Sequence, residues 1–244
     1  MKFDYSKNLN YDIISLGEVM LRLDPGDGRI RNARSFTVWE GGGEYNVSRA
    51  FVKCFKKRSA IITSLVENEI GYLVKDLILQ GGVNTELIHW LDFDGSGKSS
   101  RNGIYFLEKG FGVRGALGCS DRGNTAISQL RHDNIDWEYV FGKLGSKWFH
   151  TGGIYAGLSK NAPKVIVHAM KSAKKYGAVC TPDFFGYNKD LELQYRGRFR
   201  ELKDLKPINN GESDLKIAMK MVAKTNKGPD QQIPSMGCNI KWFN

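Results

Sequence analysis

An α/β fold with a mainly parallel sheet, helices on both of its faces and a small β lid is what the amino-acid sequence predicts. Three observations lead there. Apolar, β-branched runs alternate with segments of helical periodicity up to residue 183, as in a sheet built from strand–helix–strand units. Those runs are nearly continuous rather than alternating in polarity, which fits strands covered on both faces. Two glycine-rich stretches with alternating apolar positions interrupt the order and read as hairpins projecting from the main sheet.

The elements follow in chain order. "YDIISLG" (Tyr11 to Gly17) is a short apolar run ending at glycine, and "SAIITSLV" (Ser59 to Val66) is β-branched and almost unbroken. Between them Val47, Ala50, Phe51, Cys54 and Phe55 mark one helical face. Ile70, Leu73, Val74, Leu77 and Ile78 repeat that spacing, and Gly81 and Gly82 stand where a helix end wants a left-handed residue. Further on, "SKWFHTGG" (Ser146 to Gly153) reads as a strand and Asn161 to Gly177 as a helix with Pro163 in its first turn. "AVCTPD" (Ala178 to Asp183) is another strand. The lid is expected from about residues 18–43 and 90–115.

Composition bounds the function. The 244 residues are 41% hydrophobic, enough for a buried core, and carry a formal net charge of +10. Positive potential suits a polyanion, but the densest basic runs, "KCFKKR", "KSAKK" and "RGRFR", are scattered, and the first two fit a solvated helix face. Nucleic acid is therefore not the expected partner; a small anionic substrate is served by the same charge. Cys54, Cys119, Cys180 and Cys238 lie far apart, without ligand spacing, so no metal site and reduced thiols of a cytoplasmic protein are expected. The N-terminus lacks an apolar leader core, and no run approaches the roughly 20 residues of a spanning helix, which argues against secretion and the membrane.

The glycines carry the chemistry. "VWEGGGEYNVSRAF" (residues 38–51) sets three consecutive glycines before a helix. A dinucleotide fingerprint fails here because its last glycine would fall on Asn46. "GSGKSS" fails as a phosphate loop because Asp92 occupies the required glycine position; a hairpin turn is the better reading. What survives is G-G-x-x-N at Gly42, Gly43 and Asn46. Bare backbone lets ligand hydroxyls approach its N–H groups, and a carboxamide both donates and accepts, as a polyol requires. The alternative is a plain strand-to-helix turn with Asn46 as the cap.

On these residues the chain resembles the ribokinase or PfkB family of carbohydrate kinases. "GGGEYNVSRAFVKCFKKRSAIITSLVENEIG" is similar to the family's N-terminal signature, and "ISLGEVMLRLDPG" and "WFHTGGIYAGLS" to its flanking segments, in particular those of the 2-keto-3-deoxygluconate kinase branch. The resemblance covers about residues 11–183. It implies a ribokinase-like three-layer α/β/α sandwich with a β lid, ATP with Mg2+ as cofactors, and phosphoryl transfer to a hydroxyl of a sugar or sugar acid. It places Gly42, Gly43 and Asn46 in the sugar-binding motif, Asp24 near an acidic sugar contact, and Tyr105 and Arg122 where lid and cleft residues touch an acidic sugar. Each of the last three has a plainer reading: Asp24 starts a turn, Tyr105 packs the lid, Arg122 is a surface charge. A homodimer through the β lid is left open.

The departures are as informative. Such kinases carry an aspartate followed by x-Asn-x-Arg; Asp183 matches, but Phe185 and Tyr187 stand in the other two positions. Their later G-A-G-D turn, an anion hole with a catalytic base, does not occur in this sequence. Losing both should cost many orders of magnitude in phosphoryl transfer. The sequence therefore predicts the N-terminal part of a sugar kinase domain (residues 1–183), truncated or frame-altered, followed by a divergent or irregular tail (184–244), with no identifiable catalytic residue. His89, His132, His150 and His168 are isolated, and Asp92 and Asp94 read as turn residues. Two function classes remain: an ATP-dependent sugar kinase carrying its acceptor half here, or a catalytically inactive homologue that only binds a sugar or a partner.

Overall fold

The continuous apolar runs at the start of the chain become its central strands. In the computed structural model, which describes residues 9–181, 184–190, 192–203, 206–207 and 211–233, β1 (Tyr11–Leu16) and β4 (Ser59–Val66) are buried at every position. The chain divides into two compact units, Met1–Ala178 and Val179–Asn244, a little before the expected boundary at residue 183.

In the first unit the main sheet runs in the order β5 (Ile88–Leu91), β4, β1, β8 (Ser146–Thr151), and the pairings between these strands are parallel. Parallel neighbours need crossovers, and α1 (Gly43–Phe55) and α2 (Glu69–Gln80) provide them. Strand parity shows the layering. Ile61 and Leu65 share a core cluster with Tyr45 of α1 and Val74 and Ile78 of α2, and Ser48 of α1 donates to Ser15 at 2.7 Å. Phe149 belongs to the opposite face of the sheet, where it meets Phe141 edge-on, in a π-helical segment Glu138–Leu144. The helix α5 (Ala162–Lys175) packs on β8. This is the ribokinase-like α/β arrangement that was expected. Two short helical turns, α3 (Ala126–Gln129) and α4 (Gly153–Ala156), complete the helices of this unit among the described residues.

The helix boundaries follow local chemistry. Asn68 caps α2 by accepting from the Gly71 N–H at 2.9 Å, and Gly82 follows with φ of 81°, the left-handed conformation read from the sequence. α1 ends differently, on Lys56 at φ 55°.

The lid is a separate sheet ordered β3 (Thr37–Gly41), β2 (Met20–Asp24), β6 (Ile104–Glu108), β7 (Leu117–Asp121). β2–β3 and β6–β7 are antiparallel hairpins, and β2 and β6 join them in parallel. Two expectations need correction. β7 lies beyond residue 115, and Trp90 and Leu91, placed at the start of the lid, pair with Leu65 and Val66 in the main sheet. β7 is exposed throughout and short of apolar side chains, so no periodicity announced it.

The second unit corrects the expectation of an irregular tail. After β9 (Val179–Thr181) it forms an antiparallel hairpin, β10 (Phe184–Tyr187) with β11 (Leu193–Gly197), a small ladder of β12 (Leu202–Lys203) with β13 (Lys206–Pro207), and α6 (Asp214–Thr225), capped by Ser213. α6 packs on the hairpin, with Ala218 and Val222 buried. Asp183 lies outside the described residues; Tyr187 is half exposed. Among the described residues, no helix is long and apolar enough to cross a membrane.

Candidate acceptor site at the head of the central strands

Topology selects one place. From β1 the chain moves outward through α1 to β4 and through α2 to β5, whereas β8 lies on the other side of β1. Such a switch of direction opens a crevice beyond the carboxyl ends of the two strands, the place where open α/β sheets bind ligands. β1 runs out into Gly17 and Glu18, β8 into Gly152 and Gly153, and the first turn of α1 arrives at the same spot.

The three glycines before α1 are not equivalent. Gly42 has an extended backbone, open to any residue, but a Cβ there would stand 1.9 Å from the Glu18 carbonyl oxygen. Close approach, not backbone freedom, demands glycine. At Gly43 a Cβ would meet nothing within 4 Å. Gly42 is the N-cap and has no side chain to offer, so no cap residue meets the first-turn N–H groups; that of Glu44 donates to its own carboxylate. The Asn46 backbone N–H donates to the Gly42 carbonyl at 2.8 Å, which places Asn46 inside the helix, and the capping alternative falls. Its side chain is exposed.

Behind these glycines lies a buried ionic cluster. The Glu44 carboxylate is gripped between Gly17 and Gly152: a Cβ on either would come within 2.3 Å of one of its oxygens. Glu18 Oε2 accepts from Arg122 Nε at 2.7 Å and lies 2.5 Å from Nη2, while Oε1 is buried without a hydrogen-bond partner. Burial pushes the Glu18 carboxyl above its ordinary value against the pull of Arg122. Glu44 is also raised, by burial first and then by the charge of Glu18, with its own backbone N–H, Arg122 and the Tyr155 N–H acting the other way. The Tyr155 hydroxyl beside them is fully buried, unpartnered, and raised by burial and by both glutamates.

The remaining predicted residues separate. Tyr105 stands on β6 with its hydroxyl over Gly41, where a Cβ would come within 2.4 Å, and burial raises its pKa. It therefore borders the glycine turn. Arg122 is no surface charge: its side chain is 24% exposed and bound to the buried Glu18. Asp24 ends β2 with Oδ1 accepting from the Gly26 N–H at 2.9 Å and Oδ2 paired with Arg22 at 3.0 Å and Lys109 at 3.6 Å. Burial pulls its pKa up, but these partners outweigh burial and hold it below its ordinary value. Its oxygens are already spent on the turn, as the plainer reading had it. Asp94 likewise closes its own turn, accepting from the backbone N–H groups of Ser96, Gly97 and Ser99. His150 is half-buried on β8, and burial lowers its pKa.

Sequence reasoning passed over Glu18 and Glu44. A signal was present: each acid directly follows a glycine, one at the end of an apolar strand ("SLGE") and one at the head of a helix ("GGGE"). An acid at such a junction is either solvated or enclosed, and only the fold tells which.

A ribokinase-like α/β sandwich with a β lid and a glycine turn at the switch point is the architecture of PfkB-type carbohydrate kinases, and the comparisons with known proteins agree. No family model matches the chain. A 2-dehydro-3-deoxygalactonokinase of Haloferax volcanii is 27% identical over 173 residues, covering 70% of this chain and 51% of the relative. The crystal structure of a 2-dehydro-3-deoxygluconokinase from Thermotoga maritima aligns with 34% identity and a TM-score of 0.63, over 73% of this chain and 52% of that one. A PfkB family carbohydrate kinase from Listeria grayi shares the fold, with 23% identity and a TM-score of 0.62 over 74% and 53%. The resemblance to the ribokinase or PfkB kinases, and to their 2-keto-3-deoxygluconate kinase branch, is thereby borne out. The chain spans about half the length of the relatives it matches.

Proposed function

We propose that this chain carries the acceptor-binding half of a PfkB-type kinase, and that the ligand of its crevice is a sugar or sugar acid. The observation behind this is the head of α1, where a turn without a capping side chain, the exposed Asn46 and the open space at Gly43 come together beside the ends of β1 and β8. N–H groups there donate to the oxygens of hydroxyls, and the carboxamide both donates to and accepts from them. Tyr105 closes the site from the lid side.

ATP and Mg2+ belong to the reading by family. A sugar kinase from Pyrococcus horikoshii with the same fold, at 19% identity and a TM-score of 0.55, has been crystallised with ATP. The residues of this chain do not fit that cofactor pair. The sequence lacks the G-A-G-D turn, and among the described residues no group of three or more His, Cys, Asp or Glu side chains could hold a metal ion. No phosphoryl-transfer step is therefore assigned to these residues. That observation favours a second reading for the isolated polypeptide, a sugar-binding module without turnover.

Thermal shift on the purified chain tests both. 2-Keto-3-deoxygluconate is expected to raise the melting temperature and ATP to leave it unchanged, because a ligand stabilises only a fold that binds it. ATP hydrolysis or transfer above background with any sugar acid or ketohexose would show that the nucleotide half is present after all. A crevice that takes no sugar refutes the acceptor reading.

A further inference from the structure

Charge in this chain is concentrated in one stretch. Between Glu138 and Asp183 stand seven lysines and no Asp, Glu or Arg. The other 29 lysines and arginines are nearly balanced by all 26 acids, so this stretch accounts for seven of the ten net positive charges. Counting dense basic runs hides the imbalance, because the missing acids are what mark it.

The helix α5 turns that imbalance into a surface. Val165, Ile166, Ala169 and Ala173 lie on one side and are buried, while Lys164, His168, Lys171 and Lys175, at i, i+4, i+7 and i+11, share the opposite side and are exposed. Among the described residues, the ammonium groups of Lys164, Lys171 and Lys174 have no hydrogen-bond or ion-pair partner. Lys175 lies over the Tyr176 ring at 5.0 Å, and Lys143, on the π-helical segment that packs against α5, lies over Tyr139 at 5.6 Å. Helix stability accounts for Lys174 and Lys175, which sit in the last turn, where the helix dipole favours cations. It does not account for Lys164. A cation in the first turn opposes the dipole, and no acid shares that turn.

The make-up of the face argues against two kinds of partner. No large apolar side chain of α5 is exposed, so it has nothing to insert into a lipid interface and no apolar centre for a protein–protein contact, where lysine is depleted. It has no arginine to read base edges, and the two neighbouring rings already lie under lysines instead of standing free to stack on bases. What is left is a row of point charges, roughly 16 Å from Lys164 to Lys175, along which a duplex presents about ten phosphates. We propose that the outer face of α5 docks a phosphodiester backbone by charge alone, without regard to base sequence. A duplex, with the higher charge density, is the expected form. This surface is independent of the acceptor reading, and it replaces the expectation of a merely solvated helix face.

The test is fluorescence anisotropy of a labelled duplex of arbitrary sequence, titrated with the full chain at several salt concentrations. Four phosphate contacts, from Lys164, Lys171, Lys174 and Lys175, give a slope of log K against log salt of about −4, so affinity should fall about a hundredfold between roughly 50 and 200 mM KCl. Lys164→Gln, Lys171→Gln and Lys174→Gln together should make the slope shallower by about three and weaken binding about tenfold or more at the lower salt. Lys164→Gln alone should remove about one from the slope, and serves if the triple variant does not fold. Lys57→Gln, Lys98→Gln and Lys224→Gln together take as many exposed charges from other places and should leave the slope unchanged. A single-stranded oligonucleotide should bind more weakly and with a shallower slope; tighter binding than the duplex keeps the phosphodiester surface and overturns the preference for the duplex. The proposal is overturned if the duplex does not bind at about 50 mM KCl, if the α5 variants keep the native slope, or if the control loses as much as they do. Tighter binding to phosphatidylserine vesicles or to polyglutamate than to the duplex overturns it as well, in favour of a membrane or an acidic protein.

Discussion

Single residues at the head of α1 separate packing from binding. Gly42→Ala drives a methyl group into the Glu18 carbonyl and should cost roughly 1–3 kcal/mol, read as a lowered melting temperature. Gly43→Ala has free space and should change stability by less than about 1 kcal/mol, yet its methyl group occupies the place proposed for a ligand hydroxyl. A stable G43A protein that has lost sugar binding is the expected outcome; unchanged affinity would remove Gly43 from the site. The buried acids permit a pH experiment of definite sign. The folded chain holds the Glu44 proton more tightly than the unfolded chain does, so its contribution to stability is full below the ordinary value of 4.5 and is lost as the pH rises through the raised folded value. Glu44→Gln mimics the protonated form. Denaturant titrations should show the variant gaining on the native protein as pH climbs from 4.5 towards neutrality, and a difference independent of pH would show that Glu44 is ionised without penalty.

At the scale of elements, the order of the sheet depends on how each helix is started and held. Asn68 does two things, capping α2 through Gly71 and accepting from Asn102 at 3.0 Å, while Asn102 also accepts from the Val66 N–H at the end of β4. Asn68→Ala should therefore destabilise the first unit by at least the typical cap value of about 1 kcal/mol, measurable by urea titration. Ser213→Ala tests the corresponding cap of α6, which accepts from the Lys216 N–H at 3.3 Å. A loss of about 1 kcal/mol or less is expected, detected as faster amide exchange along residues 214–225. The lid behaves as an element of its own. Its register brings Arg22, Trp39 and Tyr105 to one level, and a shift of one residue in β2 would turn Arg22 toward the core and Leu21 to the opposite face.

For the molecule as a whole, acid stability has a named source. Asp12 on β1 accepts from the Arg58 N–H at 2.9 Å and binds Lys147 at 2.7 Å, tying the starts of β1, β4 and β8 together. Burial raises its pKa, but Lys147 and Arg58 outweigh burial and hold it below 3.8, and Asp24 is lowered likewise. The unfolded chain protonates these carboxylates first, so the stability they supply is complete above the ordinary carboxylate range and is lost as the pH falls through the lowered folded values. Asp12→Asn should flatten the acid limb of the stability curve and lower stability at neutral pH. An unchanged limb would place the acid sensitivity elsewhere.

Much of the fold was legible because its causes are local and periodic: the unbroken runs of β1 and β4, the spacing within α1 and α2, and the glycine after α2 each announce one element and its burial. The strand-to-helix turn at the head of α1 was legible for a related reason, since adjacent glycines mark a close approach of backbone, which Gly42 makes to the Glu18 carbonyl. The lid strand β7 and the second unit's hairpin were not, because exposed or short strands owe their order to neighbours rather than to their own pattern. The same holds for charge. Sequence alone determined that Glu18, Arg22, Glu44 and Arg122 are present near glycines, and that this chain lacks a G-A-G-D turn. Only tertiary structure decided that Glu18 pairs with Arg122, that Glu44 is enclosed between Gly17 and Gly152, and that Arg22 is bound to Asp24. Ion pairing and desolvation depend on distances between residues far apart in the chain, and no spacing along the sequence encodes them.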